Sequence, residues 1–288
     1  MNDEQLIHPD IRLGEVRLKV SDLDRSLQFY QDVIGLSVLK REGQAAGLTA
    51  DGKHVLIELE EVTDAFIVPR RSFAGLYHFA ILLPERKDLG LSLRHLIETG
   101  IHIGASDHLV SEALYITDPD HNGIEIYCDR PRASWPFNAD GSVKMATDPL
   151  DGDGLQSEAE GLEWNGLPAG TTIGHVHFHV SDIQQAKRFY CTVLGFQVMA
   201  DLVGSMGALF ISAGGYHHHI GLNMWAGRGA PVPPANATGL AYFAVLFPDA
   251  GALNETVQRL QRAGVTVDRE GDVYTAKDPS GITLKLKH

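Results

Sequence analysis

The chain has 288 residues, 44% of them hydrophobic and 21% charged, which is typical of a globular protein with a sizeable core. It carries 37 acidic against 24 basic residues, a formal net charge of −13, and this disfavours nucleic acid or an anionic membrane as a partner. Its two cysteines, Cys128 and Cys191, indicate neither a disulfide framework nor a zinc motif. With no signal-peptide pattern and no apolar run of ~18 residues, we expect a cytoplasmic protein.

The N-terminal part of the chain predicts one strand, one helix and three further strands. Apolar and polar residues alternate in EVRLKV (15–20), which is typical of a strand. Ser21-Asp22 indicates the start of a helix and Gly35 its end. Three short strands are predicted in SVLKRE, AAGLTADG and HVLIELEE. The first unit is therefore βαβββ.

The same pattern recurs along the chain. Residues 180–196 are identical to residues 20–36 at seven of seventeen positions, and residues 239–248 match residues 75–84 at six of ten. The third unit begins with the alternating strand HVHFHV (175–180) and continues with strands in FQVMADL, ALFISAG and HHIGLNMW. The sequence therefore predicts an α+β fold of four βαβββ units.

A polar stretch rich in Gly, Pro and Asp separates the second unit from the third. Such a composition favours a long connection. We therefore expect units 1 and 2 within residues 9–130, a linker at 131–171, and units 3 and 4 within residues 172–288.

Four βαβββ units in this order resemble the vicinal-oxygen-chelate superfamily, which includes glyoxalases, extradiol ring-cleavage dioxygenases and antibiotic-resistance binding proteins. The segment DHLVSEALYITDPDHNGIE is similar to the signature of the extradiol enzymes, the catechol 2,3-dioxygenases among them. The resemblance implies that the units pair into two cupped mixed β-sheets. It also implies that a cup holds a metal through the first and last strands of its units.

The superfamily's first-strand ligand lies five residues before the end of that strand. In units 1 to 4 this position is occupied by Glu15, His78, His175 and Tyr242. The last-strand ligand is a carboxylate after Gly-Ile, which is Glu125 in unit 2, whereas Thr283 matches it in unit 4. The resemblance therefore implies a metal site of His78, Glu125 and His175.

Two imidazoles and one carboxylate are the ligand set of non-haem Fe(II) oxygenases, and Mn(II) is an alternative because imidazole suits both metals. This set requires unit 2 to pair with unit 3, which leaves unit 1 to pair with unit 4. The alternative is that unit 2 pairs with unit 1 and that Glu15 supplies the third ligand.

Other residues match catalytic positions of the extradiol enzymes. His108 and Tyr115 have the signature's spacing from Glu125, although Ser106 and His121 depart from it. A catalytic histidine is expected in the third unit's strand containing His217, His218 and His219. Alignment of strand ends favours His219, but simple alternation places His217 on the same face.

The resemblance implies roles for these residues. With an ordinary pKa near ~6.5, His219 would accept a proton from the substrate and return it. Tyr115 would hydrogen-bond the substrate oxygen, and His108 would support that oxygen or orient Tyr115.

The implied function is Fe(II)-dependent extradiol cleavage of a catechol by dioxygen, beside its diol, to a muconic semialdehyde-type product. The alternatives are another metal-dependent lyase or isomerase of the glyoxalase fold, and a metal-free protein that binds an aromatic ligand. The expected partners are a small aromatic diol and dioxygen, and the sequence is compatible with a homo-oligomer.

Overall fold

A computed structural model describes residues 6–139 and 141–288 of the chain. Its elements follow the predicted order, because each unit consists of a strand, a helix and three strands. Unit 1 contains β1 (Arg12–Val20), α1 (Leu23–Phe29), β2 (Ser37–Glu42), β3 (Ala45–Thr49) and β4 (Ile57–Glu61). Unit 2 contains β5 (Gly75–Leu83), α2 (Arg86–Thr99), β6 (Gly104–Asp107), β7 (Ser111–Thr117) and β8 (Gly123–Asp129).

The second half of the chain repeats this order after a helix, α3 (Gly152–Glu158). Unit 3 contains β9 (Thr172–His179), α4 (Ile183–Lys187), β10 (Gln197–Leu202), the short helix α5 (Val203–Met206), β11 (Ala208–Ser212) and β12 (Ile220–Asn223). Unit 4 contains β13 (Gly239–Leu246), α6 (Ala250–Arg262), β14 (Val267–Glu270), β15 (Val273–Lys277) and β16 (Thr283–Lys287). None of the helices in the described ranges is long and apolar enough to cross a membrane.

The helices of units 1 and 3 begin and end where the sequence predicts. The side chain of Asp22 accepts a hydrogen bond from the backbone of Arg25, and Asp182 caps α4 in the same way. Both helices continue through a π-helical segment, and Gly35 and Gly195 follow with φ values of 87° and 92°. Glycine adopts this left-handed conformation without a steric penalty, so the chain turns there into β2 and β10.

Two eight-stranded mixed sheets contain these strands. Sheet A has the order β14-β15-β16-β13-β1-β4-β3-β2 and therefore combines units 1 and 4. Sheet B has the order β10-β11-β12-β9-β5-β8-β7-β6 and combines units 2 and 3. The predicted pairing of units is thus confirmed, and the alternative pairing of units 1 and 2 is wrong. The bounds of the predicted halves stay a prediction, since each sheet takes one unit from either half.

The hydrophobic core joins the two sheets. Successive side chains of a strand point to opposite faces, so Val176 and Phe178 of β9 point away from His175 and His177. The ring of Phe178 lies 5.1 Å from that of Phe243 in β13, within one buried cluster that includes residues of both sheets. β9 therefore buries one face in the common core and carries its histidines on the other face.

The predicted linker is packed against unit 2. Trp135 and Val143 form a buried cluster with Val110, and the backbone of Asp148 pairs with that of Asp107. The polar composition of residues 131–171 predicted a long connection but did not reveal this packing.

Two buried tyrosines connect the sheets. The Tyr30 hydroxyl of unit 1 donates to the Asp118 carboxylate of unit 2 at 3.0 Å, and the Tyr190 hydroxyl of unit 3 donates to the Asp278 carboxylate of unit 4 at 3.2 Å. Burial raises the pKa of Asp278 to about 6, although hydrogen bonds from Tyr190 and the backbone oppose this shift. Each bond ties a unit of one sheet to a unit of the other.

Removal of either tyrosine hydroxyl is expected to destabilise the protein. Tyr30→Phe and Tyr190→Phe each leave a buried carboxylate without one donor, which should lower the free energy of unfolding by about 1–3 kcal/mol. Tyr274→Phe is the control, because no hydrogen bond of that hydroxyl is found among the described residues, and it should change stability by under ~0.5 kcal/mol. Denaturant unfolding measures the stability of all three variants. Equal free energies of unfolding would contradict a stabilising role of the two tyrosine–carboxylate hydrogen bonds.

Asp278 should make stability depend on pH. Its folded pKa of about 6 exceeds the ordinary value of 3.8, so the native state retains a proton that the unfolded state releases. The associated stabilisation is present below pH ~4 and is lost as the pH rises through ~6. Asp278→Asn cannot titrate, so its unfolding free energy should rise relative to the parent by roughly 1–3 kcal/mol between pH 4 and pH 7. The control is Asp272→Asn, whose carboxylate is 88% exposed, and parallel pH profiles for Asp278→Asn and the parent would contradict the raised pKa.

Candidate metal centre

Three neighbouring strands of sheet B carry the predicted ligands. β5 pairs with β8 so that Ala80 lies opposite Glu125, and β5 pairs with β9 so that Ala80 also lies opposite His175. His78 precedes Ala80 by two residues and therefore points to the same face. This register brings His78, Glu125 and His175 to the middle of the cup of sheet B.

The three side chains converge on one point. The Nε2 atom of His175 lies 3.0 Å from Oε2 of Glu125, and the Nε2 atom of His78 lies 3.1 Å from the same oxygen. One potential ligand atom of each residue lies within 4.8 Å of the other two, and all three residues are buried. The structure thus brings together the three residues that the sequence predicted as metal ligands.

The electrostatics of the cluster suit a cation. Burial opposes the charge of Glu125, but the neighbouring imidazoles outweigh it and hold the pKa of Glu125 well below its usual value. Burial lowers the pKa of His175 to about 4, against the opposing influence of Glu125. Near neutral pH the cluster therefore contains a carboxylate and a neutral His175 imidazole, which are the protonation states that a metal ligand needs.

The hydrogen bonding of the cluster is incomplete. Among the described residues, Nε2 of His78 and Nδ1 of His175 are buried without a hydrogen-bond partner. The proximity of His78 Nε2 to Glu125 does not meet hydrogen-bond geometry, and an unpaired buried polar atom costs about 1–3 kcal/mol. An ion between the two Nε2 atoms and Oε2 would satisfy His78, so the residues fit a bound metal.

The corresponding position in unit 3 lacks a fourth ligand. In unit 2, Glu125 lies opposite Ala80, and Ala80 is two residues after His78. In unit 3, the equivalent partner of His177, which is two residues after His175, is Gly221. A Cβ atom at Gly221 would lie 2.8 Å from the His177 ring, so a carboxylate there would displace that ring. Among the described residues, the candidate site therefore offers three potential protein ligands rather than the four of a fully substituted cup.

Tyr115 and His108 form a hydrogen-bonded pair beside the cluster. Nδ1 of His108 donates to the Ala146 carbonyl at 2.7 Å, and its Nε2 lies 2.6 Å from the Tyr115 hydroxyl. In the neutral tautomer that this bond selects, Nε2 accepts the hydrogen of Tyr115. The rings of Tyr115 and His78 are 5.7 Å apart. Burial, reinforced by Glu125, raises the pKa of Tyr115 well above its usual value, so the phenol stays protonated.

The three consecutive histidines do not lie in a strand. β12 begins at Ile220, and Gly214 and Gly215 precede the histidines with positive φ values. The expectation that strand alternation orients His217 and His219 alike is therefore wrong. The sequence did not indicate that His218 would be the histidine nearest the cluster. The conformation of this loop depends on its glycines and on packing, which hydrophobic periodicity does not report.

The three rings have different surroundings. His218 lies nearest the cluster, with its ring centroid 4.1 Å from that of His175. Nε2 of His217 lies 2.9 Å from the Asp129 carboxylate. Nδ1 of His219 contacts the Ser212 hydroxyl at 2.8 Å, and the ring lines a cavity of about 850 Å³ that both sheets border.

A separate cavity opens onto the candidate centre. It has a volume of about 450 Å³, and the residues nearest the cluster in its wall are Tyr77, His78, Tyr115 and His179. This volume falls in the range of small-molecule pockets.

The equivalent cup of sheet A is filled by ion pairs. Nζ of Lys287 lies 2.7 and 2.8 Å from the two Glu15 carboxylate oxygens, so Glu15 is not a third ligand of the centre in sheet B. The Tyr242 hydroxyl donates to Glu58 at 2.7 Å. Ala244 lies opposite Lys285, which makes Lys285 rather than Thr283 the counterpart of Glu125 in unit 4.

Comparison with known proteins agrees with this architecture. Residues 12–126 and 172–286 match the model of the Glyoxalase/Bleomycin resistance protein/Dioxygenase superfamily. The chain belongs to this superfamily. The predicted family is therefore confirmed, and the two matched segments lie on either side of α3.

One relative is similar over nearly the full length. A catechol-2,3-dioxygenase of Bacillus subtilis (strain 168) is 52% identical over 273 residues, which cover 95% of each chain. A biphenyl-2,3-diol 1,2-dioxygenase of Rhodococcus globerulus is 31% identical over 121 residues, or 41% of this chain and 63% of the relative. The predicted similarity to the extradiol enzymes is thus confirmed.

Two solved structures share the fold at low identity. A putative dioxygenase of Bacillus subtilis superposes with a TM-score of 0.63 at 11% identity, covering 96% of this chain and 84% of the other. Glyoxalase I of Zea mays gives a TM-score of 0.54 at 16% identity, covering 96% of this chain and 92% of the other. Both support the arrangement of units in two cupped sheets.

Substitution of each candidate ligand is expected to weaken metal binding. Loss of a residue that only hydrogen-bonds a metal ligand usually costs ~10–100-fold in metal affinity. The affinity for Fe(II) under anaerobic conditions should fall by more than this in His78→Ala, Glu125→Ala and His175→Ala. Elemental analysis after dialysis should find about one ion per chain in the parent protein and far less in these variants. Glu15→Gln, in the other sheet, is the control and should retain the metal. Equal metal contents in Glu15→Gln and His175→Ala would argue against this centre.

Proposed function

We propose that the chain is an Fe(II)-dependent extradiol dioxygenase, which cleaves a catechol ring beside its diol with dioxygen and yields a muconic semialdehyde-type product. The observation that carries the proposal is the buried convergence of His78, Glu125 and His175, whose ligand atoms all lie within 4.8 Å of one another. The proposal is supported by the 52% identity to a relative named catechol-2,3-dioxygenase.

The ligand set matches this chemistry. When bound, Fe(II) supplies a Lewis acid that lowers the pKa of a coordinated hydroxyl and a redox centre for dioxygen. His78, Glu125 and His175 come from one face of the sheet, and Gly221 adds no fourth ligand. A metal held by these three residues would keep positions for substrate and dioxygen, as in the facial triad of non-haem Fe(II) oxygenases. Mn(II) suits the same ligands and is the alternative metal.

Tyr115 is proposed to hydrogen-bond an oxygen of the substrate. Its phenol stays protonated because burial raises its pKa. Its single hydrogen is given to His108, so the Tyr115 oxygen accepts a hydrogen bond from a protonated substrate oxygen. His108 holds the hydroxyl at 2.6 Å and is itself fixed by the Ala146 carbonyl. His108 is thus a positioning residue for Tyr115.

His218 is proposed to accept the substrate's proton, the role that the sequence assigned to His219. The His218 ring packs at 4.1 Å on the candidate ligand His175, whereas His219 faces the cavity between the sheets. Burial lowers the pKa of His218 well below its usual value, so its ring is neutral near pH 7 and has a lone pair to accept a proton. The proton returns from His218 when the product is formed.

Activity measurements test these assignments. The anaerobically Fe(II)-loaded protein should consume one dioxygen per catechol and form a yellow semialdehyde. His218→Ala should lower kcat by ~10²–10⁴-fold at unchanged metal content, since it removes a general acid–base group. His219→Ala, the matched control in the same loop, should change kcat by only a few-fold.

The outcomes separate the candidates. A large loss in His219→Ala with an active His218→Ala would favour His219, as the sequence predicted. Oxygen-independent turnover of another substrate would favour a lyase or isomerase. A protein that binds catechols but no metal would be a binding protein. Absence of oxygen consumption by loaded protein with a panel of catechols would refute the dioxygenase.

A further inference from the structure

A hydrogen-bonded chain leads from the surface of sheet B to the cup. Asp129, at the end of β8, has a side chain that is 25% exposed, and its Oδ1 lies 2.9 Å from Nε2 of His217. Nδ1 of His217 lies 2.8 Å from Nδ1 of His218. The His218 ring in turn packs on His175. Asp129 is not a candidate ligand, and the sequence assigned it no role. His217 was considered for proton transfer only as the alternative to His219.

The partners along this chain determine where the protons lie. A carboxylate only accepts hydrogen bonds, so Nε2 of His217 carries a hydrogen. For His217 as a neutral imidazole, the form that the proposal assigns, the other nitrogen has the lone pair, so Nδ1 of His217 accepts. The hydrogen between the two Nδ1 atoms therefore belongs to His218. Its own Nε2 is left with a free lone pair.

The remaining nitrogen of His218 is available. No hydrogen bond to Nε2 of His218 is found in the described part of the chain. In an imidazole, Nε2 points away from the direction of a partner on Nδ1, so this lone pair points away from His217. A free lone pair is what a proton acceptor requires.

The chain is held rigidly by its surroundings. His217 is fully buried, and its ring contacts those of Trp135 and Tyr216 at centroid distances of 5.3 and 4.1 Å. The indole of Trp135 donates to the Arg130 carbonyl at 2.9 Å, which fixes the wall of this pocket. His217 therefore cannot rotate away from Asp129 without repacking that wall.

We propose that Asp129 and His217 are positioning residues, which fix His218 as the Nδ1–H tautomer with the lone pair of Nε2 free in the cup. The proposal rests on the proposed function for its catalytic meaning, because His218 accepts the substrate's proton there. The tautomer itself is a property of the chain without metal or substrate.

Imidazole nitrogen spectra test the tautomer directly. In metal-free protein labelled with ¹⁵N-histidine, with His217 and His218 assigned from single variants, two-bond proton–nitrogen correlations should report a protonated Nδ1 and an unprotonated Nε2 at His218. Asp129→Ala should change this pattern into a mixture of tautomers. Ser212→Ala, which removes the hydrogen bond to neighbouring His219, is the control and should leave the His218 signals unchanged.

Kinetics of the Fe(II)-loaded variants complete the test. Asp129→Ala should lower kcat by ~10–100-fold, which is the usual effect of losing a residue that positions a functional histidine. KM and metal content should change little. A wild-type His218 protonated at Nε2 would overturn the proposal, as would an Asp129→Ala protein with unchanged tautomer, whatever its kcat. Unchanged kcat together with altered tautomers would refute the catalytic meaning alone. If the parent protein cleaves no catechol, the proposed function fails, and the spectra still decide the tautomer.

Discussion

The antiparallel pairing of β5 with β9 is the constraint on which the candidate centre depends. A single βαβββ unit provides at most one first-strand and one last-strand ligand. Only the pairing of units 2 and 3 brings His175 opposite Ala80, two residues from His78 and level with Glu125. The segments involved are far apart in the chain, so the site exists only in the completed fold. The Tyr30–Asp118 and Tyr190–Asp278 bonds and the shared core hold the two sheets together around this junction.

Burial gives the cup its chemical character. Burial lowers the pKa of His175 and so favours its neutral imidazole, whereas the imidazoles beside Glu125 hold its pKa low and favour the ionised carboxylate. The same burial leaves His78 Nε2 without a hydrogen-bond partner among the described residues, a cost that a bound cation would remove. Farther along the cup, polar atoms are paired in chains, Ala146–His108–Tyr115 on one side and Asp129–His217–His218 on the other. Each chain begins at an oxygen that only accepts hydrogen bonds, the Ala146 carbonyl or the Asp129 carboxylate. This oxygen sets the direction of the later hydrogen bonds in its chain.

Much of this architecture could be predicted because the sequence repeats. Capping residues such as Asp22, turn glycines such as Gly35 and alternating strands are local signals, and each recurs in a second unit. The pairing of units followed from the distribution of ligands, since only units 2 and 3 contain suitable histidines. Thr283 was aligned wrongly with Glu125 because Gly-Ile motifs do not report strand register, whereas the backbone pairing selects Lys285. The orientation of His218 was beyond prediction, since it depends on a loop conformation and on a carboxylate 89 residues away from it in the sequence.

The ion pairs of sheet A make the molecule unequal in its two halves. The cup with Glu15 and Lys287 contains its own cation, a covalent part of the chain that cannot be chelated, oxidised or exchanged. The cup with His78, Glu125 and His175 has no cation of its own among these three residues, and its ligand atoms fit one from outside. A repeated architecture thus combines one cup that folding alone completes with one whose proposed ligands would take up a metal from the surroundings. Under the proposed function, scarcity of that metal would stop catalysis while most of the framework stays folded.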